Sequence, residues 1–462
     1  MRSADHSPVS DVDHASASRL SLSVPPAAFP IEEDDDYTIR RPVSRPASSA
    51  SYVLPSPSHA IATPRPTLMF AIASDDVEEV RRVLESGEAG PNDPVGPQSA
   101  LSFALSNDQL KNKLEIVKTL LAYGADPTGL TQSITGQKQS RRSSTSGDVP
   151  LPAPVVESLD PATKYYVARA DDPVTRKATG LLNRSFFRPL ARGLNYQLIG
   201  QDRALEQLYR VLSIHSQQSN APPVVVMLCG PSGLGKSFLA HKFGALLDVP
   251  THTVNMTAIN TPRDLWQSHS LSSRDEEPTD QNLSDFLIAN EKKRCVVVLD
   301  EIEKVQDEKT LWTLLMPWEL GRCSFEAGGR TVDTRNVVWI GTSNLGHDLV
   351  FEHHDARDNV QKTMAREEYS ALMALLRPRI SDRLGASLVS RITAMLPFVP
   401  FTDDEKRALA AESLYSIMGE GAGTLEPSVV NSIVNGALAD YSILEGARSL
   451  YRSVSYQLVD AI

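Results

Sequence analysis

The chain is short of cysteine, of basic charge and of long apolar runs, and each shortage excludes a class of protein. Its three cysteines, Cys229, Cys295 and Cys323, are scattered through 462 residues. That spacing supports neither a disulfide framework nor a cysteine-built zinc site, and reads as reduced core residues. No apolar run approaches the roughly 18–20 residues of a membrane span, so no membrane partner is expected. Lys and Arg total 46 against 57 Asp and Glu, a net charge of −11. An acidic chain is a poor general binder of nucleic acid or anionic lipid. The first 30 residues have no apolar signal core, and they carry Asp5, Asp11 and Asp13 beside Arg2 and Arg19. An Arg-rich, acid-poor presequence does not look like this. The expected compartment is the cytoplasm, with nucleus or mitochondrion as alternatives.

What is present changes in character along the chain. Residues 1–62 are rich in Ser, Pro and Ala, with an acidic run Glu32-Glu33-Asp34-Asp35-Asp36. Too little apolar surface is available there to offset ordering entropy, so a disordered tail is expected. Residues 63–128 contain a repeat. Leu68 and Ala71 recur as Leu101 and Ala104, 33 positions on, and Val80, Leu84 and Gly87 recur as Val117, Leu121 and Gly124, 37 positions on. The stretch Leu114–Pro127 resembles the second helix and turn of an ankyrin repeat, and the period fits. Two repeats fall short of a stable stack, so a degenerate third at Pro161–Leu182, or packing on the following domain, is expected. Residues 129–160 form a second Ser/Pro-rich linker, in which Arg141-Arg142-Ser143-Ser144 looks like a site for a basic-directed kinase. Residues 161–190 read as a helical connector, apolar through Tyr165, Tyr166, Val167 and Ala170.

The rest is organised around Gly230-Pro231-Ser232-Gly233-Leu234-Gly235-Lys236-Ser237, which reads G-x-x-x-x-G-K-S. A β-branched run, Val224–Cys229, precedes it, and Leu239, Phe243 and Leu246 follow at helical spacing. Strand, glycine-rich loop and helix are the context in which backbone N–H groups cradle nucleotide phosphates. Lys236 is expected on the β- and γ-phosphates and Ser237 on Mg²⁺. A second buried strand, Cys295–Leu299, ends in Asp300 and Glu301. Asp300 is expected to hold Mg²⁺ and Glu301 to polarise the attacking water. A third, Asn336–Ser343, ends in Asn344, an amide able to orient water. His353 and His354 are adjacent without other ligands nearby and are expected to face solvent.

The order of these motifs resembles an AAA+ module of the Clp/heat-shock unfoldase and disaggregase family. Ile199-Gly200-Gln201 resembles the family's adenine-side motif, and Asp300-Glu301-Ile302-Glu303-Lys304 its Walker B segment. Gly341–Asn344 resembles sensor 1, and Leu388-Val389-Ser390-Arg391-Ile392 the segment bearing the arginine finger. Gly446-Ala447-Arg448-Ser449-Leu450 resembles sensor 2. The resemblance implies an α/β parallel-sheet module at residues 191–401 and a small helical lid at 402–462. It also implies ATP hydrolysis with Mg²⁺. Ile199, Gly200, the phosphate loop and Arg448 would bind nucleotide, and Arg391 would act on a neighbour's nucleotide, in preference to Arg377, Arg379 or Arg383. A homo-oligomeric ring, hexameric in the family, follows from a finger acting in trans. Ankyrin repeats before one such module resemble the ankyrin-containing Clp-like disaggregases, which implies protein clients recruited through residues 63–128. One feature departs from the family. The pore loop should carry an aromatic, but Ser272 stands near that position and no aromatic separates Trp266 from Phe286. Two functions are therefore in play: an ATP-driven remodelling chaperone, and an ankyrin-tethered assembly switch or scaffold that does not thread polypeptide.

Overall fold

The computed structural model describes residues 68–128, 130, 159–183, 185–218, 221–270, 281–325 and 330–461. The expected tail, the basic serine site at 141–144 and Ser272 lie outside the described residues.

Two helical hairpins come first. Helices α1 (Leu68–Ala73) and α2 (Val77–Ser86) precede a small antiparallel ribbon of β1 (Pro94–Val95) and β2 (Gln98–Ser99), and α3 (Ala100–Ser106) and α4 (Lys113–Ala122) follow. Helix α2 starts because the Asp76 carboxylate accepts the N–H groups of Glu78 and Glu79, and it stops at Gly87, φ 72°. Gly124 after α4 is also left-handed, φ 99°. The repeated glycines therefore answer the same backbone need, which a Cβ would oppose. The repeated apolar residues Leu68, Ala71, Val80, Leu84, Leu101, Ala104, Val117 and Leu121 are all buried. Asp75 ties the hairpins together by accepting the N–H groups of Lys111 and Asn112, each at 3.0 Å.

Helix α5 (Pro161–Asp171) is started by the Asp160 side chain, which accepts the Thr163 N–H, with Pro161 in the first turn. It packs on α4. α6 (Pro173–Gly180), α7 (Arg188–Leu194) and α8 (Asp202–Ser216) then lead to the sheet. Its first three strands are β3 (Val224–Cys229), β4 (Thr251–Asn255) and β5 (Cys295–Asp300). Helix α9 (Lys236–Leu247) follows β3, and α10 (Pro262–Trp266) and α11 (Leu283–Ala289) lie between β4 and β5. After β5 come α12 (Glu308–Trp312), α13 (Leu315–Leu320), a ribbon of β6 (Arg322–Ser324) and β7 (Thr331–Asp333), and then β8 (Val337–Ser343). Helices α14 (His347–Asp355), α15 (Arg366–Leu384) and α16 (Ala386–Val389) precede β9 (Ala394–Pro397). The main sheet is wholly parallel, in the order β4-β5-β8-β3-β9. Both of its faces are covered, which is why β3 and β8 are buried at every residue.

Three helices close the chain: α17 (Asp403–Met418), α18 (Pro427–Ala439) and α19 (Ala447–Ala461). Thr402 and Glu405 form a reciprocal capping box at the start of α17. These helices pack on one another, and α17 also lies along α5. The result is two apolar cores. One fills the parallel sheet and its helices. The other joins the hairpins, α5 and the last three helices. Among the described residues, no helix is long and apolar enough to cross a membrane.

The three cysteines are unpaired and buried in β3, β5 and β6, and burial pushes each thiol up to about 12. The histidine pair does not behave as the sequence suggests. His354 is buried, and burial lowers its pKa, while His353 is half-buried. The reason is helical period: Val350 and His354, four apart in α14, share the inward face.

Candidate functional site

Parallel register brings the motifs to one edge. Cys229 pairs with Ser343, and Leu299 with Gly341. The loop after β3, the acids ending β5 and the amide after β8 therefore leave the sheet at the same carboxyl end, where open α/β sheets bind ligands.

The glycines of the loop are demanded by close neighbours. A Cβ on Gly233 would lie 1.8 Å from the Glu445 carbonyl oxygen, and one on Gly230 would lie 2.7 Å from that of Phe398. Gly230, Gly233 and Gly235 all have positive φ. Lys236 opens α9 and is buried. Its ammonium donates to the Gly230 carbonyl at 2.8 Å, the Pro231 carbonyl at 2.6 Å and the Asn344 Oδ1 at 3.0 Å. Burial lowers its pKa to about 8. A desolvated cation held only by neutral oxygens gains strongly from an anion, and the N-terminus of α9 favours one too. Ser237 Oγ donates to Asp300 Oδ1 at 3.1 Å. Two hard oxygen donors in contact suit Mg²⁺. The residues present thus fit a nucleotide triphosphate with its metal.

Glu301 has φ 58° and ψ 50°, a left-handed conformation for a residue with a Cβ. Such a backbone costs about 1–2 kcal/mol, and here the N–H is held by Thr342 Oγ1 at 3.0 Å. The Thr342 hydroxyl in turn donates to Asp300 Oδ1 at 2.5 Å. Thr342 therefore sets both acids. Glu303 accepts the Asn344 N–H at 2.9 Å and fixes the amide's base. Neither Thr342 nor Glu303 is singled out by sequence reasoning, although both lie inside the quoted motifs. Burial in register was the missing signal.

The remaining residues divide. Arg448 belongs to this site: its Nη1 donates to Ser232 Oγ at 3.0 Å, and the Ala447 N–H reaches the Gly233 carbonyl at 2.9 Å. Ile199 and Gly200 follow Leu198, whose side chain would lie 2.8 Å from a Cβ on Gly235 of the loop, but Ile199 itself is buried in the second core and Gly200 faces Glu405. Gln201 adds what the sequence did not show. Its amide exchanges two hydrogen bonds with the backbone of Val399, at 2.9 and 3.0 Å, and so offsets its own left-handed φ of 61°. Arg391 does not join them. It pairs with Glu319 at 3.1 Å and with the Ser387 carbonyl. Arg377 and Arg383 donate to backbone carbonyls, of Val389 and of Glu303 and Val305, while Arg379 faces Asp348. Trp266 is half-buried, with its ring edge-on to Phe325 at 5.4 Å and its carbonyl accepting from Ser284.

This sheet order and this constellation define an AAA+ type α/β module. Residues 225–362 match the family described as AAA domain, dynein-related subfamily. The chloroplastic chaperone protein ClpD1 of Oryza sativa subsp. japonica is 26% identical over 292 residues, covering 58% of this chain and 29% of that protein. Heat shock protein 104 of Schizosaccharomyces pombe is 25% identical over 226 residues, covering 47% and 24%. The structure of the S. cerevisiae Hsp104-ADP complex superposes with a TM-score of 0.45 at 15% identity, covering 86% of this chain and 64% of that one. The chain spans about a quarter to under a half, 24% to 44%, of the length of such curated relatives. Its α/β module is similar in sequence to modules of the Clp and Hsp104 chaperones.

The wall of the site also holds a perturbed carboxyl. Burial, then the neighbouring Asp202, raise Glu405 to about 7, and the Thr402 N–H and Arg169 offset only part of this. The native state then binds more protons than the unfolded state between the ordinary carboxyl pKa and 7, so this group's contribution to stability falls as pH rises through that window. Glu405→Gln keeps the acceptor for Thr402 and cannot ionise. Its stability relative to wild type is expected to be least favourable at pH 4.5 and to improve by about 1–3 kcal/mol by pH 8. Urea unfolding at both pH values measures it, and a pH-independent difference refutes the shifted carboxyl.

Proposed function

We propose that this chain binds ATP with Mg²⁺, hydrolyses it, and uses the cycle to remodel protein clients held by the helical hairpins, which we read as ankyrin-type repeats. The observation that carries the reading is the direct bonding of Lys236 to Asn344 and of Ser237 to Asp300 at one sheet edge. Lys236 would hold the β- and γ-phosphates. Ser237 and Asp300 would hold Mg²⁺, which supplies charge neutralisation at the transferred phosphoryl group. Glu301, half exposed on its strained turn, would take the proton of the attacking water, and Asn344 would orient that water. Arg448 would bind the nucleotide of its own subunit. The last three helices would act as the lid, at residues 402–462, against the module at 191–401.

Arg391 suits a role in trans. Its pairing with Glu319 is partly solvated, side-chain exposures being 22% and 52%, so breaking it costs about 0–1 kcal/mol. A guanidinium held that weakly is free to fork onto a neighbour's phosphates in a homo-oligomeric ring, for which we propose six subunits by analogy with the relatives. The packing of Trp266 into the core supports the second reading, an assembly switch with a weak grip on polypeptide.

Three outcomes test this. Glu301→Gln is expected to bind ATP as wild type does and to lose hydrolysis by about 100-fold or more, whereas Lys236→Ala loses binding. Equal turnover by Glu301→Gln and wild type refutes the base assignment. Arg391→Ala alone is expected to bind ATP and turn over poorly, and mixing it with Lys236→Ala should restore part of the rate. No recovery in rings shown to be mixed refutes action in trans. Incubation of a tagged, folded fluorescent reporter with the protein and ATP is expected to show slow loss of fluorescence. No loss, together with ATP-dependent assembly, favours the switch.

A further inference from the structure

The base-side wall of the site, Leu198–Gln201, is the seam between the two cores. Leu198 is buried in the sheet core and Ile199 in the core of the hairpins and the last three helices. Gly200 and Gln201 are both left-handed, at φ 72° and 61°. One side of this turn touches the phosphate loop through Leu198 and Gly235. The other faces Glu405, whose carboxyl would lie 3.1 Å from a Cβ on Gly200. The γ-phosphate end of a nucleotide belongs by Asp300, Glu301 and Asn344. The sugar and base must then leave the loop on the side of this turn, between it and the helix carrying Arg448.

The turn is held from outside the module. The Gly200 N–H donates to the Tyr165 hydroxyl oxygen at 2.8 Å. Arg169, one turn along α5, is buried. Its guanidinium donates to the carbonyls of Asn195 at 2.7 Å, Leu198 at 2.6 Å and Gly200 at 3.0 Å, and to the Asp202 carboxylate at 2.8 Å. Both backbone polar groups of Gly200 are therefore satisfied by α5. Four oxygen acceptors spread over Asn195–Asp202 thus meet on one buried guanidinium, which fixes the backbone on both sides of the turn. The neighbouring Tyr166 points elsewhere. Its hydroxyl donates to Glu412 at 2.8 Å, and Lys118 of α4 reaches the same oxygen at 2.8 Å.

We propose that Tyr165 and Arg169 are positioning residues for nucleotide binding: α5, which precedes the module, sets the left-handed turn at Gly200–Gln201 against which the base and sugar lie. The inference rests on the nucleotide-hydrolase reading above. It makes the nucleotide site a joint product of the module and the segment that links it to the hairpins, and through Lys118 and Glu412 the hairpins bear on the same helix.

The test uses the full chain, N-methylanthraniloyl-ATP anisotropy for Kd, and steady-state turnover for KM and kcat. Tyr165→Phe deletes only the acceptor for the Gly200 N–H. It is expected to raise Kd and KM about fivefold, the size of one ordinary hydrogen bond, with kcat unchanged. Tyr166→Phe deletes a buried hydroxyl from the same helix that points away from the turn. It is expected to lower the unfolding midpoint at least as much and to leave Kd and KM unchanged. Arg169→Lys, which keeps the charge but not the fork, should fall between wild type and Arg169→Ala. Should Arg169→Ala not fold, the two tyrosine variants decide the matter. An unchanged Kd in Tyr165→Phe, or equal shifts in Tyr165→Phe and Tyr166→Phe, overturns the positioning role while leaving the hydrolase reading intact. If wild type binds the probe no better than Lys236→Ala, the hydrolase reading fails and the inference with it.

Discussion

Parallel pairing of β3 with β8, and of β8 with β5, is the constraint on which the site depends. A slip of one residue in either ladder would turn every side chain to the opposite face. Thr342 would no longer stand beside Asp300, and Asn344 would no longer meet Lys236. The ladders are safe from slippage because both faces of the sheet are covered and the strands are almost entirely apolar. Hydrophobic burial holds the strands together, the close packing of each side chain against its own covering layer fixes the register, and the register places the polar groups.

The polar groups then pay little for their positions. Lys236 is buried, but its proton donors meet two loop carbonyls and one amide oxygen. Glu301 sits in a strained backbone, but its N–H is satisfied by Thr342. Gln201 is also strained, and its amide is answered twice by Val399. For Glu301 and Gln201 a hydrogen bond worth about 1 kcal/mol stands against a conformational penalty of similar size, whereas for Lys236 the cost is desolvation. Arg391 is the exception: it pairs with Glu319 at a partly solvated position and lies apart from the other site residues.

The second core changes how the chain divides. The hairpins do not hang from a linker as an independent unit. Helix α5 fills the face that two hairpins leave uncovered, and α17 packs along the same helix. The last three helices therefore rest on the hairpins as well as on the phosphate loop, through Ala447 and Gly233. Movement of those helices on the sheet would have to carry α5 and the hairpins with it, or break the contact between Tyr166, Lys118 and Glu412.

Local signals in the sequence were enough for the phosphate loop, the acids after β5, the strand before Asn344 and the repeated residues of the hairpins. Each is a short run whose chemistry or period needs no distant partner to be read. Glycine at a left-handed turn, a β-branched strand and an apolar residue every third or fourth position are properties of adjacent atoms. Tertiary structure alone decided the rest. Thr342 and Glu303 matter because neighbouring strands place them against Glu301 and Asn344. His354 is buried because its face of α14 is the inner one, which adjacency to a second histidine could not show. Arg169 looks like one more surface arginine in a polar connector. Only the fold brings it to a turn more than 25 residues away, where four oxygen acceptors need its donors. A sequence displays which groups a chain owns, but a buried polar group acquires its role from partners that chain folding alone brings within hydrogen-bond reach.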